Sequence, residues 1–318
     1  MSLSLEKSLE LYEQMYLMRR FEESAAQSYT ERKIGGFLHL YIGQEAVATG
    51  VIAATEEKDY VVTSYRDHAH YLAKGGTARE GMAELFGKEG GCSGGRGGSM
   101  HFFDAEKRFM GGWGIVGAHV PLAAGIGFAA KYKNDGTVAV CFLGEGAVSI
   151  GPFHEGMCLA ALWKLPVVFV VENNRYAMGT PIHRTMSTED VSTRALAYPM
   201  ARATVDGCDL DESYEQARIA VKRAREQSLP TLLEYKTYRY RGHSMADPAK
   251  YRTKDELEEW KRRDPLNLLK NKLTAKGVEE SVFKQIEDKV EAEVVDCKEF
   301  AEQSPEPAPE TLADYVYI

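Results

Sequence analysis

Apolar residues in this chain follow two patterns: short unbroken runs, and longer stretches in which they recur every three or four positions. Both meet in residues 137–180, TVAVCFLGEGAVSIGPFHEGMCLAALWKLPVVFVVENNRYAMGT. Thr137–Leu143 is continuous and rich in β-branched residues, which predicts a strand buried on both faces. A Gly144-Glu145-Gly146 turn follows. From Gly151 to Leu165 the apolar positions Phe153, Met157, Ala160 and Ala161 keep helical spacing, and Pro166 ends the helix. A second run, Val167–Val171, stops at Glu172-Asn173-Asn174. The unit is β-α-β with a right-handed crossover, so its strands should be parallel.

The same reading places elements along the rest of the chain. Residues 3–34 predict a long amphipathic helix with Leu5, Leu9, Tyr12 and Tyr16 on one stripe, stopped by Gly35-Gly36. A helix is expected from about Gln44 and a strand over Tyr60–Thr63. Thr77 and Glu80 form a T-x-x-E capping box for a helix through Phe86. Pro121–Tyr132 predicts a helix crowded with Gly and Ala, which suits close approach of another helix or subunit. A strand near Thr204, a helix capped around Asp211 and a strand over Thr231–Tyr240 follow. From Lys254 onward the chain reads as helical, with Val282, Phe283, Ile286, Val290, Val294 and Val295 as its stripe. The tail begins extended at its prolines, and Tyr315 and Tyr317 are expected to dock on a partner. The fold class is therefore α/β, a doubly wound parallel sheet flanked by helices. Residues 1–318 read as one domain with an N-terminal helix and a C-terminal helical extension.

Composition narrows the function. A net charge of -8 argues against a general nucleic-acid binder. Cys92, Cys141, Cys158, Cys208 and Cys297 are odd in number and lack C-x-x-C spacing, which fits a reducing compartment rather than disulfides or zinc. No apolar run approaches a membrane span. The start, MSLSLEKSLELYEQM, resembles neither a secretory signal nor a transit peptide, so the cytoplasm is the expected location.

The chemistry gathers at a few places. Glu145 and the Asn pair fall at the carboxyl ends of parallel strands, where open α/β sheets bind ligands. Carboxylate and amide oxygens are hard ligands suited to Mg²⁺ and a substrate phosphate, although Gly and Asn also serve ordinary turns. His68 and His70 have H-x-H spacing, which admits zinc, but no third ligand lies near in sequence. GKEGGCSGGRGGSMHF packs seven glycines between Gly87 and Gly98 and by itself reads as a flexible loop. Gly112–Gly117 matches G-x-G-x-x-G, with Asp135 downstream, but HFFDAEKRFMG before it does not read as a buried strand. NAD binding is therefore the alternative of a different class. His243, Ser244 and Asp247 invite a hydrolase reading, without a G-x-S-x-G elbow to support it.

Twenty-six residues separate Gly146 from Asn173. The GEG…ENN stretch is similar to the thiamine-diphosphate fingerprint, with Glu145 where Asp is commoner. ENNRYAMGT, GFLHLYIGQEA and YRYRGHSMADP further resemble the α subunits of 2-oxo acid dehydrogenase E1 components, most narrowly those acting on pyruvate. That resemblance implies thiamine diphosphate and Mg²⁺ as cofactors, the metal held by Glu145, Asn174 and the carbonyl of Tyr176. Tyr65, Arg66 and Arg239 would meet the diphosphate. Gly144, Gly146 and Ala147 would lie against it, and the backbone of Gly114 and Val116 would meet the aminopyrimidine. Val116 and Met178 would support the bent cofactor. His39, His68 and His243 would be active-site histidines near neutral pKa, with His70 structural. The glycine-rich run GGCSGGRGGSMH, similar to one beside the cofactor in that family, would be a mobile active-site element. Ser244 aligns with a serine phosphorylated in mitochondrial relatives, whereas the second such serine is absent.

The implied reaction is decarboxylation of pyruvate, a small 2-oxo acid, with transfer of the acetyl unit to the lipoyl group of a separate E2 protein. The implied partners are an E1 β subunit, in an α₂β₂ heterotetramer, and the E2 lipoyl domain; no nucleic acid or membrane is expected. Acetoin dehydrogenase shares these motifs and is the alternative within the class. A catalytically idle scaffold subunit is a third reading, disfavoured because every expected residue type is present.

Overall fold

The computed structural model describes residues 3–314 and 316. Tyr315 and Tyr317, expected to dock on a partner, lie outside the described residues. A six-stranded sheet forms the centre, built from β1 (Tyr60–Ser64), β2 (Phe109–Trp113), β3 (Ala139–Gly144), β4 (Val167–Asn173), β7 (Ala201–Asp206) and β8 (Thr231–Lys236). Its order is β2-β1-β3-β4-β8-β7 and every pairing is parallel. A small antiparallel pair, β5 (Tyr176–Ala177) and β6 (Thr180–Pro181), projects beyond the end of β4.

Alternation along β4 shows how the sheet is covered. Val168 and Val170 face a layer made by α1 (Leu5–Thr30), α2 (Glu45–Ala53), α3 (His68–Ala73), α4 (Ala78–Leu85) and α8 (Leu210–Gln227). Val167, Phe169 and Val171 face α5 (His119–Lys133), α6 (Gly151–Leu162) and, past β6, α7 (Ile182–Thr185). Both faces are buried, so the strand reads as an unbroken apolar run. A third cluster joins α1 to the C-terminal helices α10 (Pro265–Ala275) and α11 (Glu280–Gln303) through Tyr12, Met15, Leu269, Leu273 and Phe283, whereas α9 (Lys254–Lys261) packs its Leu257 and Trp260 on the first cluster.

Several boundaries differ from the sequence expectation, each for a local reason. Helix α1 ends at Thr30 because Arg32 takes a left-handed conformation (φ 62°), before Gly35-Gly36 is reached. Its buried face runs through Ser8, Leu11, Tyr12, Met15, Met18 and Glu22, whereas Leu5 is exposed, because α1 is clasped between α2 and α11. Asp209, rather than Asp211, caps α8 by accepting from Asp211 N and Glu212 N. Strand β8 stops at Lys236, since Tyr240 N turns to donate to Ile42 O. Val295 points to solvent while Val294 is buried.

The FMGGW segment also departs from expectation. Phe109–Trp113 is an edge strand paired with β1, its register broken between Val61 and Thr63. Edge strands tolerate the glycines and polar neighbours that hid it. The turn after β2 thus sits at the carboxyl edge of the sheet, beside the switch point where connections from β1 and β3 diverge.

Candidate active site

The carboxyl ends of β1, β3, β4 and β8 open into one cavity of about 890 Å³. Ser64, Tyr65 and Arg66 enter from the end of β1, Gly114 and Val116 from the turn after β2, and Gly144, Glu145, Gly146 and Ala147 from β3. Asn174, Tyr176 and Met178 come from beyond β4, Arg239 and His243 from the segment after β8, and His39 from the segment before α2. Fourteen of the fifteen expected site residues line this one space; His68 does not.

Glu145 opens a short 3₁₀ turn after β3 and is 2% exposed. Among the described residues its Oε1 finds no hydrogen-bond partner, and neither does Asn174 Oδ1. Asn174 Nδ2 donates to Gln44 Oε1 at 3.2 Å, which holds the amide with its oxygen free. Burial pushes the Glu145 carboxyl up to about 7, although Arg239 and Arg66 pull it down. Two bare, buried oxygens on one cavity wall are an incomplete donor set for a hard cation. Among the described residues no cluster of three His, Cys, Asp or Glu side chains forms a metal site. A cation here would take its remaining oxygens from backbone carbonyls and the ligand. The Tyr176 carbonyl already accepts from Arg239 Nη1 at 3.3 Å, a long bond that leaves a lone pair available.

Arg66 and Arg239 supply the opposite charge. Arg66 donates to Leu40 O at 2.6 Å and His243 O at 2.9 Å. Arg239 donates to Met178 O and to the Tyr251 hydroxyl, both at 2.9 Å. Among the described residues neither pairs with a carboxylate. Burial and Arg239 together lower the Arg66 guanidinium to about 10. Two buried cations that repel one another across a cavity call for a multiply charged anion.

His39 and His243 face each other with ring centroids 5.1 Å apart, and Tyr65 closes the triangle at 4.7 Å from His39. Among the described residues the Nδ1 atom of each histidine finds no partner. Burial, then Arg66, drives His39 down to about 2 and His243 down to about 4. Both are neutral imidazoles at physiological pH, not histidines titrating near neutrality as expected. Burial and two arginines outweigh any carboxylate nearby.

His68 is enclosed behind this wall. Its Nδ1 lies 3.1 Å from Glu22 Oε2 and its Nε2 3.0 Å from both Ser99 O and Ser99 Oγ. His70 instead contacts Glu172 Oε1 at 2.9 Å, so the two histidines address different carboxylates and do not converge on a metal. Asp247 accepts the backbone amide of His243 at 2.6 Å, not its ring, which removes the hydrolase triad. The G-x-G-x-x-G segment does join a strand to a helix, contrary to the sequence reading. Asp135, however, is exposed at the opposite, amino end of β3, and a Cβ on Gly112 would fall 1.8 Å from Asp67 Oδ2. That glycine serves internal packing, and no ribose contact is in reach.

The glycine-rich segment is anchored rather than loose. The buried Glu84 carboxylate accepts from the amides of Ser93, Gly95, Gly97 and Gly98 at 2.7–3.0 Å. A Cβ on Gly97 would lie 2.3 Å from His101 O, so the loop folds this tightly only with glycine there. Sequence reading missed Glu172 and His119, both of which line the cavity. The signal for each was a polar residue next to a buried strand end or helix start.

Comparison with known proteins adds the family. The chain matches the model of the dehydrogenase E1 component over residues 13–310. It is 49% identical over 306 residues to the pyruvate dehydrogenase E1 component subunit alpha of Rhizobium meliloti, covering 96% of this chain and 88% of that protein. The Zymomonas mobilis protein of the same name is 47% identical, with 98% and 89% covered. That of Porphyra purpurea is 44% identical, with 99% and 94% covered. A parallel sheet with its cavity at the carboxyl edge and likeness over nearly its whole length lead to one conclusion: the chain belongs to the dehydrogenase E1 component family.

Proposed function

We propose that this chain is the α subunit of a pyruvate dehydrogenase E1 component, acting with thiamine diphosphate and Mg²⁺. The family depends on thiamine diphosphate in general. The observation that carries the reading here is the pair of unpartnered buried oxygens, Glu145 Oε1 and Asn174 Oδ1, in the cavity that also holds Arg66 and Arg239. Glu145, Asn174 and the Tyr176 carbonyl would hold Mg²⁺, and the two arginines with Tyr65 would neutralise the diphosphate. The glycine backbone at 144 and 146 leaves room beside it, and Ala147 follows in the same turn. The exposed apolar side chains of Val116 and Met178 would support the rings, with the Gly114 and Val116 backbone toward the aminopyrimidine.

When bound, the cofactor supplies the nucleophile and electron sink for decarboxylation of a 2-oxo acid. The chain's own part is orientation, exclusion of water and proton handling. His39 and His243, neutral and with Nδ1 atoms that find no partner among the described residues, would accept or pass a proton near the reacting carbons. Of the cavity carboxylates, Glu172 is engaged by Tyr41 and His70, Asp247 by His243 N and Tyr251, and Glu145 is assigned to the metal. A carboxylate for N1′ of the pyrimidine would therefore come from a β subunit. Leu122, Phe128, Tyr132, Leu162 and Trp163 stand exposed on or next to α5 and α6, an apolar face that suits assembly into α₂β₂. Acetyl transfer to an E2 lipoyl domain would complete the cycle, in the cytoplasm. No helix among the described residues is long and apolar enough to cross a membrane.

The deciding test is calorimetry of the assembled enzyme with thiamine diphosphate plus Mg²⁺ against NAD. An activity panel on pyruvate, branched 2-oxo acids and acetoin accompanies it. Binding of NAD alone, or turnover of acetoin in preference to pyruvate, would overturn the proposal.

A further inference from the structure

The backbone of residues 39–41 is held at three consecutive points. His39 N donates to Ser99 Oγ at 3.2 Å, Leu40 O accepts from Arg66 at 2.6 Å, and Tyr41 N donates to Glu22 Oε1 at 2.9 Å. The first and third hold-points are one structure, because His68 joins them. Its Nδ1 meets Glu22 Oε2 at 3.1 Å and its Nε2 meets Ser99 Oγ at 3.0 Å. Glu22, His68 and Ser99 are all buried, on α1, α3 and the 3₁₀ turn Gly98–Met100 respectively. None of the three lines the cavity.

We propose that Glu22, His68 and Ser99 form a positioning relay that sets the placement of His39 in the active site. Each member does something that a generic core contact would not. Glu22 spends both carboxylate oxygens, one on the His39 segment and one on His68. His68 is fixed at both ring nitrogens, so its plane is determined. Ser99 Oγ then stands where the His39 amide needs an acceptor. The Glu84 clamp on Gly97 and Gly98 delivers Ser99 to that spot, which gives the glycine-rich segment a purpose although it leaves only Met100 in the cavity. His39 itself has no hydrogen bond at Nδ1, so its ring is aimed by its backbone and by packing on Tyr65 and His243. A relay that moves the backbone moves the ring.

The inference rests on the proposed role of His39, and the test separates the two. In the complex assembled with the β subunit, kcat, KM for the 2-oxo acid and thermal midpoint are measured for Ser99→Ala, Ser99→Thr, His68→Asn, His39→Ala and the His39→Ala/Ser99→Ala double variant. A misplaced reacting group costs roughly ten- to a hundredfold in rate. The relay predicts that loss in kcat for Ser99→Ala and His68→Asn, with cofactor affinity held. It further predicts near-normal kcat for Ser99→Thr, which keeps the hydroxyl. In the double variant the Ser99→Ala loss should vanish, because no ring remains to be aimed. If His39→Ala is impaired while Ser99→Ala and His68→Asn turn over normally, the relay is overturned and the His39 reading stands. Equal, independent losses from Ser99→Ala with and without His39 would also overturn it. Full activity of His39→Ala would overturn the His39 reading and the relay with it. Ser99→Ala removes a single buried oxygen, so the test survives even if His68→Asn does not fold.

Discussion

Glu145 carries an unfavourable burial that raises its carboxyl to about 7. Its carboxyl is buried with Oε1 unpartnered, and Asn174 Oδ1 is in the same condition. Glu145→Gln and Asn174→Ala should each weaken thiamine diphosphate binding in Mg²⁺ buffer by roughly 10- to 100-fold or more, read by calorimetry. Unchanged affinity in both would remove the metal assignment. The same burial has a consequence for stability without ligand. The folded-state pKa of Glu145 lies at about 7, above its ordinary 4.5, so between those values the folded state binds more protons than the unfolded chain. Its contribution therefore falls as pH rises from about 4.5 to 7 and is level above, a loss on the order of 3 kcal/mol. Denaturant melts of the unliganded chain should show that slope, and Glu145→Gln should flatten it. His243→Ala is expected to lower turnover by roughly 10²- to 10⁴-fold. Its half-buried ring makes no hydrogen bond at Nδ1, so stability should change by about 1 kcal/mol or less. Normal turnover in this variant would leave the ring without a chemical part.

The glycine-rich segment shows how a single side chain can order a whole element. Four backbone amides converge on Glu84, and the segment then runs into Ser99 and Met100 at the cavity wall. Replacing the carboxylate in Glu84→Gln weakens four charge-assisted bonds and leaves at least one donor facing an NH₂ group. The expected cost is roughly 1–3 kcal/mol. Hydrogen exchange at Ser93–Gly98 should accelerate relative to β3 and β4, whereas equal protection in both proteins would show the loop to be held by something else. At the same scale, α11 acts as a brace for the N-terminal helix. Tyr12 OH donates to Glu287 at 3.0 Å and Lys289 pairs with Glu13 at 2.5 Å, so α11 is tied to the helix that carries Glu22.

Taken whole, and under the proposed reading, the cavity would supply the diphosphate side of the cofactor site and leave its pyrimidine side to a partner. Glu172 and Asp247 are already engaged, and Val116 and Met178, which line the cavity, are exposed. The isolated chain should thus show no robust 2-oxo acid decarboxylation, and activity should appear on assembly with a β subunit. Cofactor-dependent decarboxylation by the lone chain would overturn the divided site. Assembly should also cover α5 and α6, so differential labelling of the exposed Cys158 on α6 should fall in the complex.

The β-α-β unit, the run of Glu145 to Asn174 and the capping box at Thr77 were all legible in the chain. Each is written in neighbouring residues: β-branched runs make strands, a T-x-x-E spacing makes a cap, and parallel strands put their carboxyl ends on one edge. Fourteen of the residues that the family resemblance implied line one cavity, because each lies within a few positions of such an edge or in a segment that turns back to it. Tertiary structure decided what local pattern cannot encode. Periodicity marks apolar faces of α1 but not which face α11 and α2 will cover, so Leu5 was expected inside and Glu22 was not. Spacing put His68 beside Arg66, but its ring turns to Glu22 and Ser99, 46 and 31 residues away along the chain. β2 was hidden because an edge strand need be apolar on only part of its surface. The mobility expected of the glycine-rich segment gave way to a carboxylate on a neighbouring helix. Burial is a property of the assembled fold, and it is burial that lowers the His39 and His243 rings and raises the Glu145 carboxyl.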